Sequence, residues 1–185
     1  MKNTLKLNLG CGEDHLPGFI NVDKYGNPDV LHDLESFPWP WSDNSVEHVL
    51  LKHVLEHLGQ NTDVYLEIIK ELYRICLEGA TIKIIVPHPR HDDFIDDPTH
   101  VRIITPPGLQ LFSKSKNHQW VQGQCANTLL ALYLNVDFEV ISSDFILDPV
   151  WEEVLKDKDP DIKVQAMKRY YNVVREIHIL LKVHK

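Results

Sequence analysis

Two glycines and an acid lie near the start of the chain in an order typical of nucleotide-type ligand sites. Gly10 and Gly12 directly follow the apolar segment 5–9. Glycines at such a point let the backbone approach a ligand closely and direct N–H groups at it. Asp23 ends the next apolar segment, where a carboxylate can accept hydrogen bonds from both hydroxyls of a ribose.

A dinucleotide-binding site is the weakest alternative for this segment. Its fingerprint requires G-x-G-x-x-G and an acid about 20 residues further on. Here His15 occupies the place of the third glycine, and Asp23 follows Gly12 by only 23 − 12 = 11 residues. Residues 13–16 leave room for one turn at most, so a pyrophosphate-binding helix has almost no space.

Segment 87–102 concentrates ionisable side chains after a later apolar run and is the candidate for catalytic groups. Histidine titrates near neutral pH and can remove a proton from a hydroxyl or an amine. We therefore expect His91 or His100 to act as the general base. Asp92 or Asp97 could orient its ring.

Other interpretations of segment 87–102 stay open. Arg90 or Arg102 could hold an acidic group of a substrate, and the segment could also be a solvated acidic loop without a role in chemistry. Its ligand types also suit a divalent metal, which makes metal-assisted hydrolysis an alternative function. The ligands of such a metal would be His88, His91, Asp92 and His100.

A smaller histidine cluster follows the fourth apolar run. His53 and His57 share one face at helical spacing, with the carboxylate of Glu56 nearby. This arrangement suits a metal pair, but the neighbouring sequence offers no third ligand. We therefore expect His53 to face a bound ligand and His57 to pack against the protein.

Short apolar runs alternate with helical patterns, which favours a parallel sheet with helices on both faces. Apolar spacing predicts a helix over residues 62–77 that is capped by Gly79, and a second helix over 128–134. Asp-Pro pairs at 148–149 and 159–160 predict the starts of two more helices. The predicted strands are 5–9, 19–23, 30–33, 46–51, 81–86, 138–146 and 176–183.

In a parallel sheet, ligands bind at the edge where the strands end. This rule places the glycine turn, Asp23, Asp33, His53 and the region of His88 in one crevice. Phe37, Trp39 and Trp41 are expected to close the core and the wall of that crevice. The site is therefore predicted to be assembled from four or more separate loops.

These motifs resemble the class I S-adenosylmethionine-dependent methyltransferase family, in its small single-domain branch. The resemblance covers most of the chain, and four matches occur in the family's order. It implies an α/β, three-layer, Rossmann-like fold with a seven-stranded, mostly parallel sheet whose last strand is antiparallel. The matches are the glycine turn LNLGCG at 7–12, the acid-ended strand 19–23, Asp33-Leu34 before FPW at 37–39, and SVEHV at 45–49 running into HVLEH at 53–57.

The resemblance also implies the cofactor, S-adenosylmethionine, and the residues that hold it. The backbone of the glycine turn would meet the methionyl end, and Asp23 would hold the ribose diol. Asp33 would accept a hydrogen bond from the adenine amino group while Leu34 covers the ring, and His53 would face the sulfonium. The full set of expected cofactor-binding residues is Leu9, Gly10, Cys11, Gly12, Asp23, Lys24, Asp33, Leu34 and His53.

Composition limits the partners and the compartment. The 185 residues suit one domain, 1–185, and a net charge of −8 gives no general attraction to nucleic acid. Residues 119–136 are too polar for a membrane span, and the first four residues enter a strand directly, so no signal peptide is expected. Three widely spaced cysteines fit reduced thiols, so the expected location is cytoplasmic.

The sequence therefore predicts methyl transfer from S-adenosylmethionine to an oxygen, nitrogen or carbon atom of a small acceptor. A homodimer is a candidate assembly. Besides metal-assisted hydrolysis, the alternative is a regulatory or assembly protein that binds the same cofactor without catalysis, since a fold does not fix a function.

Overall fold

The computed structural model describes residues 4–185, and these form one seven-stranded sheet with helices. The predicted domain 1–185 and the predicted absence of a signal peptide also involve residues 1–3, which lie outside the described residues. The strands are β1 (Leu5–Leu9), β2 (Ile20–Asp23), β3 (Val30–Leu31), β4 (Val46–Lys52), β5 (Cys76–Pro87), β6 (Phe138–Leu147) and β7 (Val174–Val183).

The number of strands and the direction of the last strand are those that the resemblance implied. The order is β3-β2-β1-β4-β5-β7-β6, and β7 is antiparallel to both of its neighbours. All other pairs are parallel. The seven-stranded, mostly parallel sheet with an antiparallel last strand is thus confirmed. The carboxyl ends of β1 to β5 consequently share one edge, where the predicted site residues lie.

Seven α-helices connect the strands within residues 4–185. Two single 3-10 turns, Leu55–His57 and Gln110–Phe112, accompany them. The helices are α1 (Thr62–Ile75), α2 (Asp92–Ile95), α3 (Pro106–Leu109), α4 (Lys114–Gln122), α5 (Leu130–Leu134), α6 (Pro149–Leu155) and α7 (Pro160–Arg169).

Helix α1 begins where its periodicity predicted and ends earlier than expected. The side chain of Asn61 accepts a hydrogen bond from the Asp63 N–H and caps its start. The prediction of Gly79 as the C-terminal cap was wrong, because Cys76 already has extended backbone angles and pairs with Val46 in the sheet. Strand β5 therefore starts directly after the helix, and Gly79, with a φ of 76°, lies within it.

The Asp-Pro pairs start α6 and α7 as predicted. In each, the aspartate side chain (Asp148, Asp159) accepts a hydrogen bond from an N–H in the first helical turn, and proline follows it. These helices form a small core of their own around Leu155, Ala166 and Val173. They lie after the carboxyl end of β6, beside the edge that carries the predicted site.

The connection between β1 and β2 contains no helix, as its length predicted. Two buried asparagines on these strands organise it instead. The Asn8 amide donates to the Asp14 carbonyl at 2.8 Å and to Asn21 Oδ1 at 3.0 Å. Asn21 Oδ1 also accepts from the Leu16 N–H at 2.8 Å. Side-chain hydrogen bonds thus fix a loop that a helix would otherwise order.

The two faces of the sheet are covered differently. On one face, Ile82 and Ile84 pack with Leu72 of α1 and Leu109 of α3 in the main core. On the other face, Lys83, which lies between these two isoleucines, is exposed. The connections from β1 to β4 contain no α-helix, so they contribute nothing to a helical layer on this second face.

Two further features bear on the expected compartment. None of the helices in residues 4–185 combines the length and the apolar character needed to cross a bilayer. All three cysteines are free, with Cys11 and Cys76 buried and Cys125 exposed.

Candidate functional site

An open cleft of about 230 Å³ lies at the edge where β1, β2 and β4 end. It brings together Gly10, Asp23, Lys24, Asp33, Leu34 and His53 of the expected cofactor-binding set, whereas Leu9, Cys11 and Gly12 do not line it. Sequence reasoning did not identify four further lining residues, which are His32, Glu35, Val54 and Leu58. His57, which was expected to pack against the protein, also lines the cleft.

Gly10 is a glycine because the loop after β4 approaches it closely. Its φ is 68°, and a Cβ atom at this position would lie 2.3 Å from Cγ2 of Val54. Gly12 also has a positive φ, 49°, but a Cβ atom there would meet nothing within 4 Å. The two glycines therefore serve different purposes: the first allows close packing beside the cleft, and the second allows only the turn.

The N–H groups of the glycine turn are engaged within the protein. Those of Gly10 and Cys11 both donate to the Val22 carbonyl, at 2.7 and 3.0 Å. The Gly12 N–H donates to Asp23 Oδ2 at 2.9 Å. These three N–H groups are therefore not free for a ligand, in contrast to what the glycine pattern predicted.

Asp23 is fixed at the end of β2 by two backbone donors. Besides the Gly12 N–H, the Tyr25 N–H donates to its Oδ1 at 2.9 Å. The carboxylate keeps further lone pairs that a diol can use. Lys24 lines the cleft, whereas Tyr25 is 72% exposed and does not. The ring of Tyr25 is therefore not positioned to stack on a ligand in this structure.

The loop after β3 forms the opposite wall. Asp33 Oδ1 accepts from the Glu35 N–H at 3.0 Å, and Glu35 Oε1 accepts from the Gly59 N–H at 2.7 Å. Leu34 is buried, and its carbonyl accepts from Trp39 Nε1 at 3.0 Å. The wall is thus tied both to the tryptophan segment and to the loop before α1.

The tryptophans pack as structural residues. Trp39 and Trp41 are 2% and 7% exposed and meet edge to face, with ring centroids 6.1 Å apart. Neither lines the cleft. They close the core as the sequence predicted, but they do not form the wall of the cleft, and Phe37, of which the same was expected, is 38% exposed.

His53 lies at the centre of the cleft between two carboxylates. Its φ of 54° and the hydrogen bond from its N–H to the Ile85 carbonyl turn the chain out of β4. Its Nδ1 lies 3.6 Å from Glu56 Oε1, and its Nε2 lies 3.3 Å from Glu176 Oε1. Glu56 has the larger part in raising the pKa of His53 above its ordinary value, and Glu176 raises it further.

His91 and Asp92 lie away from the cleft and hold the start of α2. The buried ring of His91 accepts from the Asp93 N–H through Nδ1 at 3.1 Å, and its Nε2 is 3.5 Å from Asp148 Oδ2. Asp92 accepts from Asn172 Nδ2 at 2.7 Å. These contacts join segment 87–102 to the chain before β7 rather than to the cleft.

His100 approaches the cleft through His57. Its ring stacks on Phe94 and lies 4.5 Å from the ring of His57, which lines the cleft. The metal set predicted from segment 87–102 is not brought together. Among residues 4–185, the group of ligand atoms that converges is formed by Glu56, His57 and His100.

Comparisons with known proteins identify the fold. Neither protein-family models nor curated proteins gave a match to this sequence. Solved structures did. A SAM-dependent methyltransferase from Archaeoglobus fulgidus superimposes with a TM-score of 0.62 at 18% identity, over 98% of this chain and 87% of that one. A methyltransferase from Methanosarcina mazei gives 0.53 at 12% identity, over 100% and 94%.

A third similar structure carries ligands. It is the 1,6-didemethyltoxoflavin-N1-methyltransferase of Burkholderia thailandensis, solved with 1,6-didemethyltoxoflavin and S-adenosylhomocysteine bound. Its TM-score is 0.55 at 11% identity, over 98% of this chain and 71% of that one. Likeness at such identities establishes the fold: this chain has the fold of the class I S-adenosylmethionine-dependent methyltransferases.

Proposed function

We propose that this protein binds S-adenosylmethionine in the cleft and transfers its methyl group to an oxygen, nitrogen or carbon atom of a small-molecule acceptor. The observation that carries the proposal is the convergence of Gly10, Asp23, Asp33 and Leu34 at the carboxyl edge of a sheet with the methyltransferase strand order. Ligands of open α/β sheets bind at this edge.

The chemical groups of the cleft fit the parts of this cofactor. Asp23 provides a fixed carboxylate for the ribose diol, and Leu34 with Asp33 provides an apolar surface beside an acceptor for the adenine amino group. Gly10, which lines the cleft without a side chain, leaves room for the methionyl end. The cofactor supplies the electrophilic methyl group, and the protein has to align the acceptor with it and exclude water.

A small-molecule acceptor is favoured by two observations. The net charge of −8 gives no general attraction to a phosphate backbone, and the similar structure from Burkholderia thailandensis was solved with 1,6-didemethyltoxoflavin bound. On the acceptor side we assign His57, which lines the cleft, and His100, whose ring lies against that of His57. His91 and Asp92 then act as positioning residues, because they hold α2 and the segment that carries His100.

Calorimetric titration tests the proposal directly. We expect S-adenosylmethionine and S-adenosylhomocysteine to bind with one site per chain, and NAD not to bind. Asp23→Ala should weaken binding by about 2 kcal/mol, roughly thirtyfold, because the ribose loses a charge-assisted acceptor. The control, Asp157→Ala, changes an exposed acid outside the cleft and should leave the affinity unchanged.

Failure of both sulfur ligands to bind at millimolar concentration would overturn the proposal. Thermal unfolding of Asp23→Ala is measured in parallel, because Asp23 also accepts two backbone hydrogen bonds. A large loss of stability with an unchanged affinity of the folded fraction would assign Asp23 a structural role.

A further inference from the structure

One carboxylate and two imidazoles converge beside the cleft without any role in the proposed cofactor site. Glu56, His57 and His100 each offer one ligand atom, and these atoms all lie within 4.8 Å of one another. His57 also lines the cleft. The sequence placed the first two residues together but assigned the third, His100 in the segment before α3, to a different predicted metal set.

Glu56 is the most unusual member of this cluster. Its side chain is fully buried, and neither carboxylate oxygen has a hydrogen-bond partner within residues 4–185. His53 Nδ1 lies 3.6 Å from Oε1, close enough for an ion pair with protonated His53 but beyond hydrogen-bond distance. A buried carboxylate without hydrogen-bond donors is unfavourable, and a cation bound by its oxygens would supply the missing partner.

The hydrogen bonds of both histidines leave one ring nitrogen available. His100 Nδ1 lies 2.8 Å from the Phe94 carbonyl, which can only accept, so this nitrogen carries the proton. Thr99 donates its hydroxyl proton to Asp97 at 2.6 Å and therefore accepts from His57 Nδ1 at 2.9 Å. Each Nε2 then has a free lone pair. Histidines that bind metals are typically held by such a bond from the other nitrogen.

The backbone fixes the three residues relative to one another. The N–H groups of Val101 and Arg102 both donate to the Glu56 carbonyl, at 2.9 and 3.0 Å. These bonds attach the segment that carries His100 to the helical turn Leu55–His57. The ligand positions are thus held before any ion binds, which lowers the cost of assembling a site.

We propose that Glu56, His57 and His100 bind a divalent transition metal such as Zn²⁺, Mn²⁺ or Fe²⁺. Two imidazoles and one carboxylate suit these ions and leave coordination positions open, whereas Mg²⁺ and Ca²⁺ prefer oxygen ligands. Because His57 lines the cleft, the open positions lie next to it. The metal would there hold a coordinating oxygen of the acceptor, such as a hydroxyl or carboxylate; this use, but not the site, rests on the proposed function.

Metal content and metal titration test the site without the cofactor. Protein purified without chelator should contain about one metal ion per chain by elemental analysis. After dialysis against EDTA, titration with Zn²⁺ or Mn²⁺ should show one site by calorimetry and raise the midpoint of thermal unfolding. Glu56→Gln, which keeps the shape of the side chain, and His100→Ala should each weaken binding at least about tenfold.

Matched controls change the same residue types elsewhere. Glu153→Gln and His118→Ala alter exposed residues that make no contact with the cluster, and they should bind the metal as the parent does. If His100→Ala fails to fold, the metal affinity of Glu56→Gln alone tests the proposal. The proposal is overturned if neither Zn²⁺, Mn²⁺ nor Fe²⁺ binds, or if Glu56→Gln binds them with unchanged affinity.

Two separate titrations distinguish failure of the metal site from failure of the proposed function. S-adenosylhomocysteine is titrated into the EDTA-treated protein, and the metal is titrated without it. Metal binding with no binding of the sulfur ligand would retain the metal site and remove the methyltransferase proposal. The reverse result would remove the metal site alone.

Discussion

Single residues determine the shape of the cleft, and Gly10 is the clearest case. We expect Gly10→Ala to lower the free energy of unfolding by about 3 kcal/mol, because it combines a clash with Val54 and a positive φ. Gly12→Ala, which adds only the unfavourable φ, should cost about 1 kcal/mol. Urea unfolding measures both values.

A double mutant identifies the source of the difference. Val54→Ala removes the two Cγ atoms that would lie 2.3 and 2.8 Å from a Cβ atom on residue 10. Combined with Gly10→Ala, it should recover part of the loss, so that the two changes are not additive. Equal effects of Gly10→Ala and Gly12→Ala would show that Val54 does not restrict this position.

The residues of the site could be predicted only where strand order brings them together. The parallel strands carry Gly10, Asp23 and Asp33 at or just after their carboxyl ends. One rule places all of these ends at the same edge of the sheet. His57 and His100 have no such relation, because their contact depends on how segment 87–102 folds back onto the turn Leu55–His57. Periodicity and spacing carry no information on that packing.

At the scale of elements, an acid in α1 holds the tryptophan loop to the helix. Glu71 is 8% exposed; its Oε2 accepts from the Trp39 N–H at 2.6 Å, and both oxygens bind Arg74. Arg74 lowers the pKa of Glu71, so the ionised form is favoured in the folded protein. We expect Glu71→Gln to destabilise the protein by about 3 kcal/mol at pH 7, since it breaks a largely buried ion pair.

The sign of the pH dependence follows from the direction of the shift. A lowered pKa stabilises the folded state at pH values above the ordinary 4.5 of glutamate, and this contribution is lost as the pH falls through the folded-state value. The difference in the free energy of unfolding between the parent and Glu71→Gln should therefore be largest at pH 7 and shrink below pH 4.5. Glu67→Gln, at an exposed pair with Lys70, is the control and should cost less than about 0.5 kcal/mol. A gap that stays constant down to acid unfolding would contradict this account.

Elements with a strong local signal were predicted and short polar ones were not. Apolar periodicity identified α1, and the Asp-Pro pairs identified α6 and α7. Helices α2, α3 and α4 were missed because they are short or polar, and depend on the caps His91, Thr105 and Ser113, which resemble ordinary loop residues in sequence. The asparagines of β1 and β2 were missed for the opposite reason, since buried polar residues within apolar strands leave no periodic signal.

At the scale of the whole molecule, a shared strand order accompanies very different sequences. The similar structures are 11 to 18% identical to this chain, yet their folds superimpose over nearly all of it. The alternation of apolar runs and helical patterns indicated a parallel sheet, and the antiparallel last strand followed from the family resemblance. The acceptor could not be predicted, because the proposed acceptor side consists of loops whose conformation depends on tertiary packing.

The helix-free connection between β1 and β2 has a consequence for how the chain folds. Pairing Leu7 with Ile20 closes a loop of 20 − 7 = 13 residues, whereas pairing Ile84 with Ile179 closes one of 179 − 84 = 95. The longer closure costs about 2 kcal/mol more chain entropy. Pulse-labelled hydrogen exchange during refolding should therefore find the amides of β1 and β2 protected before those of β7, and simultaneous protection would contradict it. Strands β1 and β2 would then form the nucleus on which the remaining strands condense.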